Sequence, residues 1–203
     1  LCDRYNIALI FDEVITGFRL GLSGAQGYFN IKPDLTIFAK AIASGYSLSV
    51  LAGTKKLMQP IADGKVIHAG TMNSSNPTVA AALTTIKVLE RDNIHAKLFK
   101  LGRELMNGLR KAAKDTGQAI LVQGLGPVFH VGFTTKNAVH DYRDTLFYDK
   151  AMGAAFIRGM QEEGIRVIGR GLWYLSAAHT HEDVDTAISA AHKVLKEMKE
   201  VVT

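Results

Sequence analysis

Residues 7–14 read IALIFDEV, and this stretch determines the class of fold. Its five consecutive apolar residues predict a short strand that is buried on both faces and ends at Asp12, as in a parallel sheet. Ligands of open α/β sheets bind just outside the carboxyl ends of the strands, so an acid at this position is predicted to face a site. Three roles stay open for it: holding Mg²⁺ beside a nucleotide, pairing with a protonated cofactor nitrogen, or lying in an exposed acidic turn.

The composition limits the class of protein. The chain has 203 residues, of which 47% are hydrophobic, and it can therefore form the sizeable core of a soluble globular protein. The net charge of +5 comes from scattered basic residues, so no nucleic-acid partner is predicted. No apolar run approaches the roughly 18 residues of a membrane helix, so no membrane partner is predicted either. The single cysteine, Cys2, excludes an internal disulfide and suits a reducing, cytoplasmic compartment.

The first residues, LCDRYN, contain no initiator methionine and lead directly into the predicted strand. A core strand seldom begins a domain so abruptly. We therefore expect the chain to be the second part of a longer protein, in which case any targeting segment would lie outside it.

A second apolar run, LTIFA at residues 35–39, ends at Lys40. The connection between the two runs is long enough for the crossover of a parallel pair, which predicts Asp12 and Lys40 at one edge of a sheet. Such a lysine is either an amine nucleophile toward an aldehyde or a strand-end side chain that reaches water. An acid and a lysine facing one crevice match the needs of pyridoxal, whose aldehyde binds a lysine and whose ring nitrogen binds an acid. A nucleotide hydrolase stays the alternative, although the chain lacks a GxxxxGK run.

The remaining elements follow from hydrophobic spacing. Helical periodicity begins at Pro77, and Thr180 and Asp183 have the spacing of a capping box at the start of the last helix. The predicted helices cover residues 77–89, 94–113, 148–163 and 181–201, and the predicted strands of the second half cover residues 127–133, 165–168 and 172–175.

Several motifs resemble one enzyme family. FDEVITGFR, GAQGYF, PDLTIFAK and HAGT, followed by Asn76-Pro77, resemble the class III pyridoxal-phosphate aminotransferases of fold type I. GAQGYFNIKPDLTIFAK and LSAAHTHEDVD are most similar to the branch that contains glutamate-1-semialdehyde aminomutase. The resemblance spans nearly the whole chain. It implies an α/β fold in which residues 1–93 form the second part of the cofactor-binding large domain, a mainly parallel sheet with helices, and residues 94–203 form a smaller α+β C-terminal domain.

The resemblance also implies a site for pyridoxal 5′-phosphate. Lys40 would form the Schiff base, and Asp12 would pair with the pyridinium nitrogen. Val14 would pack on one face of the ring, and Thr71 would hydrogen-bond the phosphate, commonly across a dimer interface. Independently of the resemblance, pairing of Asp12 with a pyridoxal nitrogen leaves Glu13 a secondary role, either orienting its neighbour or facing solvent. No metal belongs to this site, and His179 and His181 are predicted to lie in the capping region of a helix.

The implied activity is transfer of an amino group between a small-molecule amino donor and an oxo acceptor by a homodimer. Two alternatives stay open. One is intramolecular transfer of the aminomutase type, and the other is a catalytically silent fragment, because the family's phosphate loop and stacking aromatic ring lie upstream of Leu1. Arg19 and Arg170 are candidate clamps for a substrate carboxylate, because a guanidinium offers two parallel donors, and the alternative for each is an ordinary surface arginine.

Overall fold

The computed structural model describes residues 1–202, with the side chains of residues 1–198. The chain divides into two compact units, Leu1–His95 and the part from Ala96 onward. The assignment of residues 1–93 and 94–203 to a large and a small domain stays a prediction. In the described part of the chain, no helix has both the length and the apolar composition of a membrane span.

The first unit is built on a three-stranded sheet in the order β1-β2-β3. β1 pairs in parallel with β2, as the crossover length predicted, and β2 pairs antiparallel with β3, which sequence reasoning did not predict. The elements are α1 (Cys2–Tyr5), β1 (Ile10–Glu13), α2 (Gly24–Phe29), β2 (Leu35–Phe38), β3 (Val50–Gly53), α3 (Lys55–Ala62) and α4 (Asn76–Arg91).

The first strand differs from the prediction of a strand buried on both faces and ending at Asp12. The side chains of Ile7 and Ile10 are 56% and 53% exposed, and the strand continues to Glu13, whose side chain is only 1% exposed. The physical reason is that β1 is an edge strand of this sheet. Side chains alternate along a strand, so Glu13 points inward while the adjacent Asp12 is exposed.

A small apolar cluster lies behind the carboxyl end of β2. Its buried members are Ile42 and Ala43, from a 3₁₀ turn at Lys40–Ala43, and Ala82 of α4. The partly buried side chains packed against them are Phe18, Phe38, Leu48 and Val50.

The second unit is built on an antiparallel sheet in the order β4-β5-β6. Helices α6 and α7 pack against each other, and α6 also contacts β5. The elements are α5 (Ile94–Thr116, which begins at the junction), β4 (Ile120–Leu125), β5 (Val128–Phe133), a 3₁₀ turn (Tyr142–Phe147), α6 (Lys150–Glu162), β6 (Leu172–Tyr174) and α7 (His181–Val202).

The ends of the helices follow their capping groups. α6 begins at Lys150, later than predicted, because the carboxylate of Asp149 accepts a hydrogen bond from the backbone N–H of Met152 at 2.9 Å. The capping box of α7 is confirmed: the backbone N–H of Thr180 donates to Asp183 at 2.8 Å, and the backbone N–H of Asp183 donates to the Thr180 hydroxyl at 3.3 Å.

The predicted strand at residues 165–168 is wrong. These residues follow α6 without forming a strand, and the segment that pairs with β5 is β6. β-branched residues favour an extended backbone, but a strand also needs a neighbour, and the free side of β5 is already paired with β6.

Candidate active site

The carboxyl ends of β1 and β2 meet at one edge of the first sheet. The parallel register pairs Asp12 with Ile37 and Glu13 with Phe38, and Lys40 follows Phe38 by two residues. Asp12 and Lys40 therefore lie at the same edge, where open α/β sheets bind their ligands.

Asp12 presents an exposed carboxylate at this edge. Its Oδ1 atom accepts a hydrogen bond of 3.0 Å from the backbone N–H of Val14, which fixes the side chain against its own strand end. Among the described residues this is the one hydrogen bond of the Asp12 carboxylate, so Oδ2 is available to a donor on a ligand. The side chain of Val14 is partly buried beside it.

Lys40 has a left-handed backbone, with φ of +48°, and an exposed side chain. This conformation costs a residue with a Cβ atom about 1–2 kcal/mol. The residues that follow it, Ile42 and Ala43, are buried in the apolar cluster and hold the turn in place. Backbone strain of this kind often occurs at functional sites, and here it lies at the edge of the sheet that the carboxyl ends of β1 and β2 share.

The loop after β1 packs tightly against the end of β2. The ring of Phe18 lies 5.5 Å from the ring of Phe38, and a Cβ atom on Gly17 would come within 2.6 Å of Phe38. The backbone carbonyl of Phe18 lies 3.0 Å from Nε2 of His95. Only glycine fits at position 17, and the loop therefore follows the strand ends closely.

The burial of Glu13 was not predicted: of the two roles expected for it, facing solvent is wrong, because its side chain is 1% exposed. Its buried carboxylate accepts hydrogen bonds from the Thr16 hydroxyl at 2.7 Å and from the backbone N–H groups of Ala25 and Gln26 at 2.7 and 2.8 Å. Ser23, the N-cap residue of α2, makes no side-chain capping bond, so Glu13 caps this helix from a neighbouring strand. Sequence reasoning could not find this cap for two reasons. A serine at the N-cap position normally caps its own helix, and no sequence pattern indicates a cap from a residue 12 positions earlier.

The other candidate residues lie outside this edge. Thr71 is exposed in a turn at residues 71–74 that leads to α4. The Nε atom of Arg19 donates to the carbonyl of Ile15 at 3.1 Å. In the second unit, Arg170 is exposed and its backbone carbonyl accepts a hydrogen bond from His130 at 2.9 Å.

The histidines near α7 have partners other than a metal. Nδ1 of His179 accepts from the backbone N–H of Ser176 at 3.0 Å, and Nδ1 of His181 lies 2.8 Å from Glu104. The described residues contain no group of three or more His, Cys, Asp or Glu side chains that could hold a metal ion.

The groups at the sheet edge fit two ends of pyridoxal phosphate. The exposed amine of Lys40 suits an aldehyde, and the carboxylate of Asp12, with Oδ2 available, suits a protonated ring nitrogen. Both residues lie at the same edge, and among the described residues neither side chain forms an ion pair.

Comparison with known proteins gives a consistent family. The family model described as "Aminotransferase class-III" matches residues 1–196. A glutamate-1-semialdehyde 2,1-aminomutase of Legionella pneumophila (strain Lens) is 36% identical over 98% of the chain and 47% of that protein. The chain thus spans about half the length of the curated relatives that it matches.

Solved structures agree with this family. A β-phenylalanine aminotransferase from Variovorax paradoxus superposes with a TM-score of 0.86 at 26% identity, over 95% of the chain and 45% of that structure. A transaminase solved with PLP bound gives a TM-score of 0.85 at 25% identity, over 98% of the chain and 46% of that structure. These structures share an α/β fold of type I with the present chain.

Proposed function

Because the chain belongs to the class III aminotransferases, we propose that it is part of an enzyme that uses pyridoxal phosphate to transfer an amino group. The substrates would be a small-molecule amino donor and an oxo acceptor. The observation that carries the proposal is the parallel register of β1 and β2, which brings Asp12 and Lys40 to one edge of the sheet.

Pyridoxal phosphate, when bound, supplies an aldehyde that condenses with amines and a ring that accepts electrons. The role of Asp12 is to accept a hydrogen bond from the protonated ring nitrogen. A carboxylate favours a nearby positive charge, so Asp12 keeps that nitrogen protonated. The hydrogen bond from Val14 to Oδ1 leaves Oδ2 for this task.

Lys40 has two tasks in the proposed site. Its amine would hold the cofactor through the aldehyde, and when free it would serve as the base that moves a proton at the reacting carbon. The left-handed backbone at Lys40 fixes the direction in which its side chain leaves the turn. The exposure of the side chain leaves it room to move between these tasks.

Val14 and Thr71 complete the proposed set. The partly buried, branched side chain of Val14 would pack on the ring and exclude water from one face. The exposed Thr71 hydroxyl would donate to the phosphate, which an oxygen donor in a turn can do at little steric cost.

A second candidate function is intramolecular transfer of the amino group. It is favoured by the curated relatives, which carry the name glutamate-1-semialdehyde 2,1-aminomutase at 34–36% identity. The two functions share Lys40 and Asp12 and differ in whether the amino group returns to the molecule that donated it. Supplying a single amino substrate without any oxo acceptor separates them, because only the aminomutase completes a turnover.

We also propose that the protein is a homodimer in the cytoplasm. The support for a partner is the large exposed apolar surface of the first unit, which includes Val79 and Leu83 on one side of α4. Exposed Thr71 lies in the turn before the same helix, in keeping with a phosphate contact across an interface. The support for the compartment is the single cysteine.

The test is to incubate the protein with pyridoxal phosphate, reduce it with borohydride and map the labelled peptides by mass spectrometry. We expect the pyridoxyl group on Lys40 in preference to other lysines. Lys40→Ala should abolish the preferred label, whereas Lys32→Ala, which removes another exposed lysine, should leave it unchanged. Label spread evenly over exposed lysines in the unaltered protein would overturn the proposal.

A further inference from the structure

Glu13 is an unusual residue to bury. Its side chain is 1% exposed, and it is one of three polar or charged side chains that are buried among the described residues, the others being Thr36 and Thr116. Removing a carboxylate from water is costly unless hydrogen bonds replace the lost solvation. The structure supplies these bonds from three directions.

The hydrogen bonds of Glu13 connect three consecutive parts of the first unit. Oε2 binds the Thr16 hydroxyl in the loop after β1, and both carboxylate oxygens bind backbone N–H groups in the first turn of α2. The side-chain amide of Gln26 lies 3.4 Å from Oε1 of Glu13 and 3.5 Å from the hydroxyl of Thr36 on β2. A single carboxylate thus ties β1, its following loop and α2 together, with Gln26 extending the contact to β2.

The backbone around Glu13 is shaped to accept the carboxylate. Gly24 begins α2 with φ of +60°, and a Cβ atom at this position would collide with the Glu13 carboxylate. A side chain at residue 24 is therefore disfavoured for two reasons: the backbone is left-handed, and the Glu13 carboxylate occupies the space of a Cβ atom. The glycine at position 24 thus leaves the space that the buried Glu13 carboxylate occupies.

Glu13 and Asp12 are adjacent on a strand, so fixing the direction of one fixes the direction of the other. We infer that Glu13 is a positioning residue, whose buried carboxylate holds the end of β1 so that Asp12 and Val14 face the ligand edge. This inference rests on the proposed function of Asp12, because the direction of Asp12 matters to catalysis only if it holds the cofactor.

The first test is Glu13→Gln, which removes the negative charge of the side chain but keeps its shape. In Glu13→Gln, one carboxylate oxygen becomes an NH₂ group, which opposes the N–H donors of Ala25 and Gln26 and leaves one of them unpaired. Small misplacements of a reacting group lower rates by up to about a hundredfold. We therefore expect the initial rate of borohydride-trapped labelling at Lys40 to fall roughly tenfold, with the same far-ultraviolet circular dichroism as the parent protein.

A spectroscopic measurement separates positioning from simple loss of stability. The absorbance of lysine-bound pyridoxal phosphate changes with protonation of the nitrogen that links it to the lysine, and the pKa of that nitrogen depends on the charge of the ring nitrogen, which Asp12 would govern. We expect Glu13→Gln to shift the pH midpoint of this absorbance in the same direction as Asp12→Asn and by a smaller amount. Thr116→Val, which removes the hydroxyl bond of a buried threonine in the second unit, is the matched control and should shift nothing.

Amide exchange tests the inference without any cofactor. The N–H of Val14 is protected by its bond to Asp12, so we expect Glu13→Gln to raise the exchange rate of Val14 as well as those of Ala25 and Gln26. If the glutamine variant does not fold, Gly24→Ala can replace it in this experiment. The added methyl group crowds the carboxylate without removing it, so we expect the same rise in exchange rates.

Failure of the proposed function and failure of the inference about Glu13 give different results. If the unaltered protein is not labelled at Lys40, the proposed function fails, whatever Glu13 does. If labelling occurs and Asp12→Asn impairs it, but Glu13→Gln leaves labelling, the absorbance midpoint and Val14 exchange unchanged, then the inference about Glu13 is overturned and the proposed function stands.

Discussion

The two units of this chain treat their apolar residues in opposite ways. Among the described residues, the first unit has only four buried hydrophobic side chains, whereas the second unit has 21, several of them with no exposure at all. Large exposed hydrophobic side chains show the reverse distribution, with 16 in the first unit and four in the second. The second unit has the core of an independent domain, while the first unit carries the candidate catalytic groups on a structure that needs apolar cover.

The strongest way to break this comparison is to separate the units. A chain of residues 94–203 should unfold cooperatively, because it retains α5 and the large core. Residues 1–93 alone should lack a cooperative transition. Thermal circular dichroism of both pieces measures this directly, and a sharp transition in residues 1–93 would show that its small cluster is sufficient.

Single substitutions sharpen the comparison within the intact chain. Leu101 in α5 has no exposed surface, so Leu101→Ala should lower the free energy of unfolding by about 2–5 kcal/mol. Leu83 in α4 is 56% exposed, and Leu83→Ala should change the free energy of unfolding by no more than about 0.5 kcal/mol. Urea denaturation of the two variants gives both values. Similar losses would mean that Leu83 is covered in solution, for example by a second copy of the chain.

Two glycines of α6 offer a smaller and finer test of the core of the second unit. Gly153 has open space where a Cβ atom would lie, so Gly153→Ala should stabilise the helix by up to about 1 kcal/mol. A Cβ atom on Gly159 would come within 2.6 Å of Val194 on α7. Gly159→Ala should therefore lose that gain or destabilise the protein. Equal stabilisation by both changes in urea denaturation would indicate that the packing of α6 on α7 is looser than described.

The smallest expected effect is electrostatic. Hydrogen bonds from the Lys136 ammonium, at 2.8 Å, and from the backbone N–H of His140 lower the pKa of Asp144 to about 2. The usual value is about 3.9, so the unfolded chain binds a proton at a higher pH than the folded one. The stability that Asp144 contributes is present above about pH 4 and is lost as the pH falls toward 2.

Asp144→Asn should therefore make the thermal midpoint of residues 94–203 less sensitive to pH in that range. Lys136→Met, which removes the first donor, should reduce the sensitivity as well. An unchanged slope in both variants would show that the ion pair is not formed in solution.

The sequence predicted the elements that carry strong local signals. The capping box at Thr180 defined the start of α7, and the apolar spacing of α4 and α5 gave those helices to within a few residues of their ends. β3 was missed because its four residues, VLAG, are largely exposed and too short to show alternation. The failed strand at residues 165–168 shows the same limit, since pairing depends on a partner that lies elsewhere in the chain.

In the candidate site, too, the features with a local sequence signal could be predicted and those that depend on residues elsewhere in the chain could not. The shared edge of Asp12 and Lys40 could be predicted because a parallel crossover places successive strand ends together. The burial of Glu13 could not, because it arises from alternation on an edge strand combined with a helix whose own N-cap residue makes no bond. The roles of Lys40, Asp12, Val14 and Thr71 stay predictions.

The position of Trp173 makes the core of the second unit visible by tryptophan fluorescence. It is the single tryptophan of the chain, and its buried ring stacks at 5.7 Å on Phe129 in the core of the second unit. Tryptophan emission therefore reports on the packing of this core. A chain whose tryptophan emission remains that of a buried indole while its helical signal falls would be one that has lost helical structure but kept the core around Trp173.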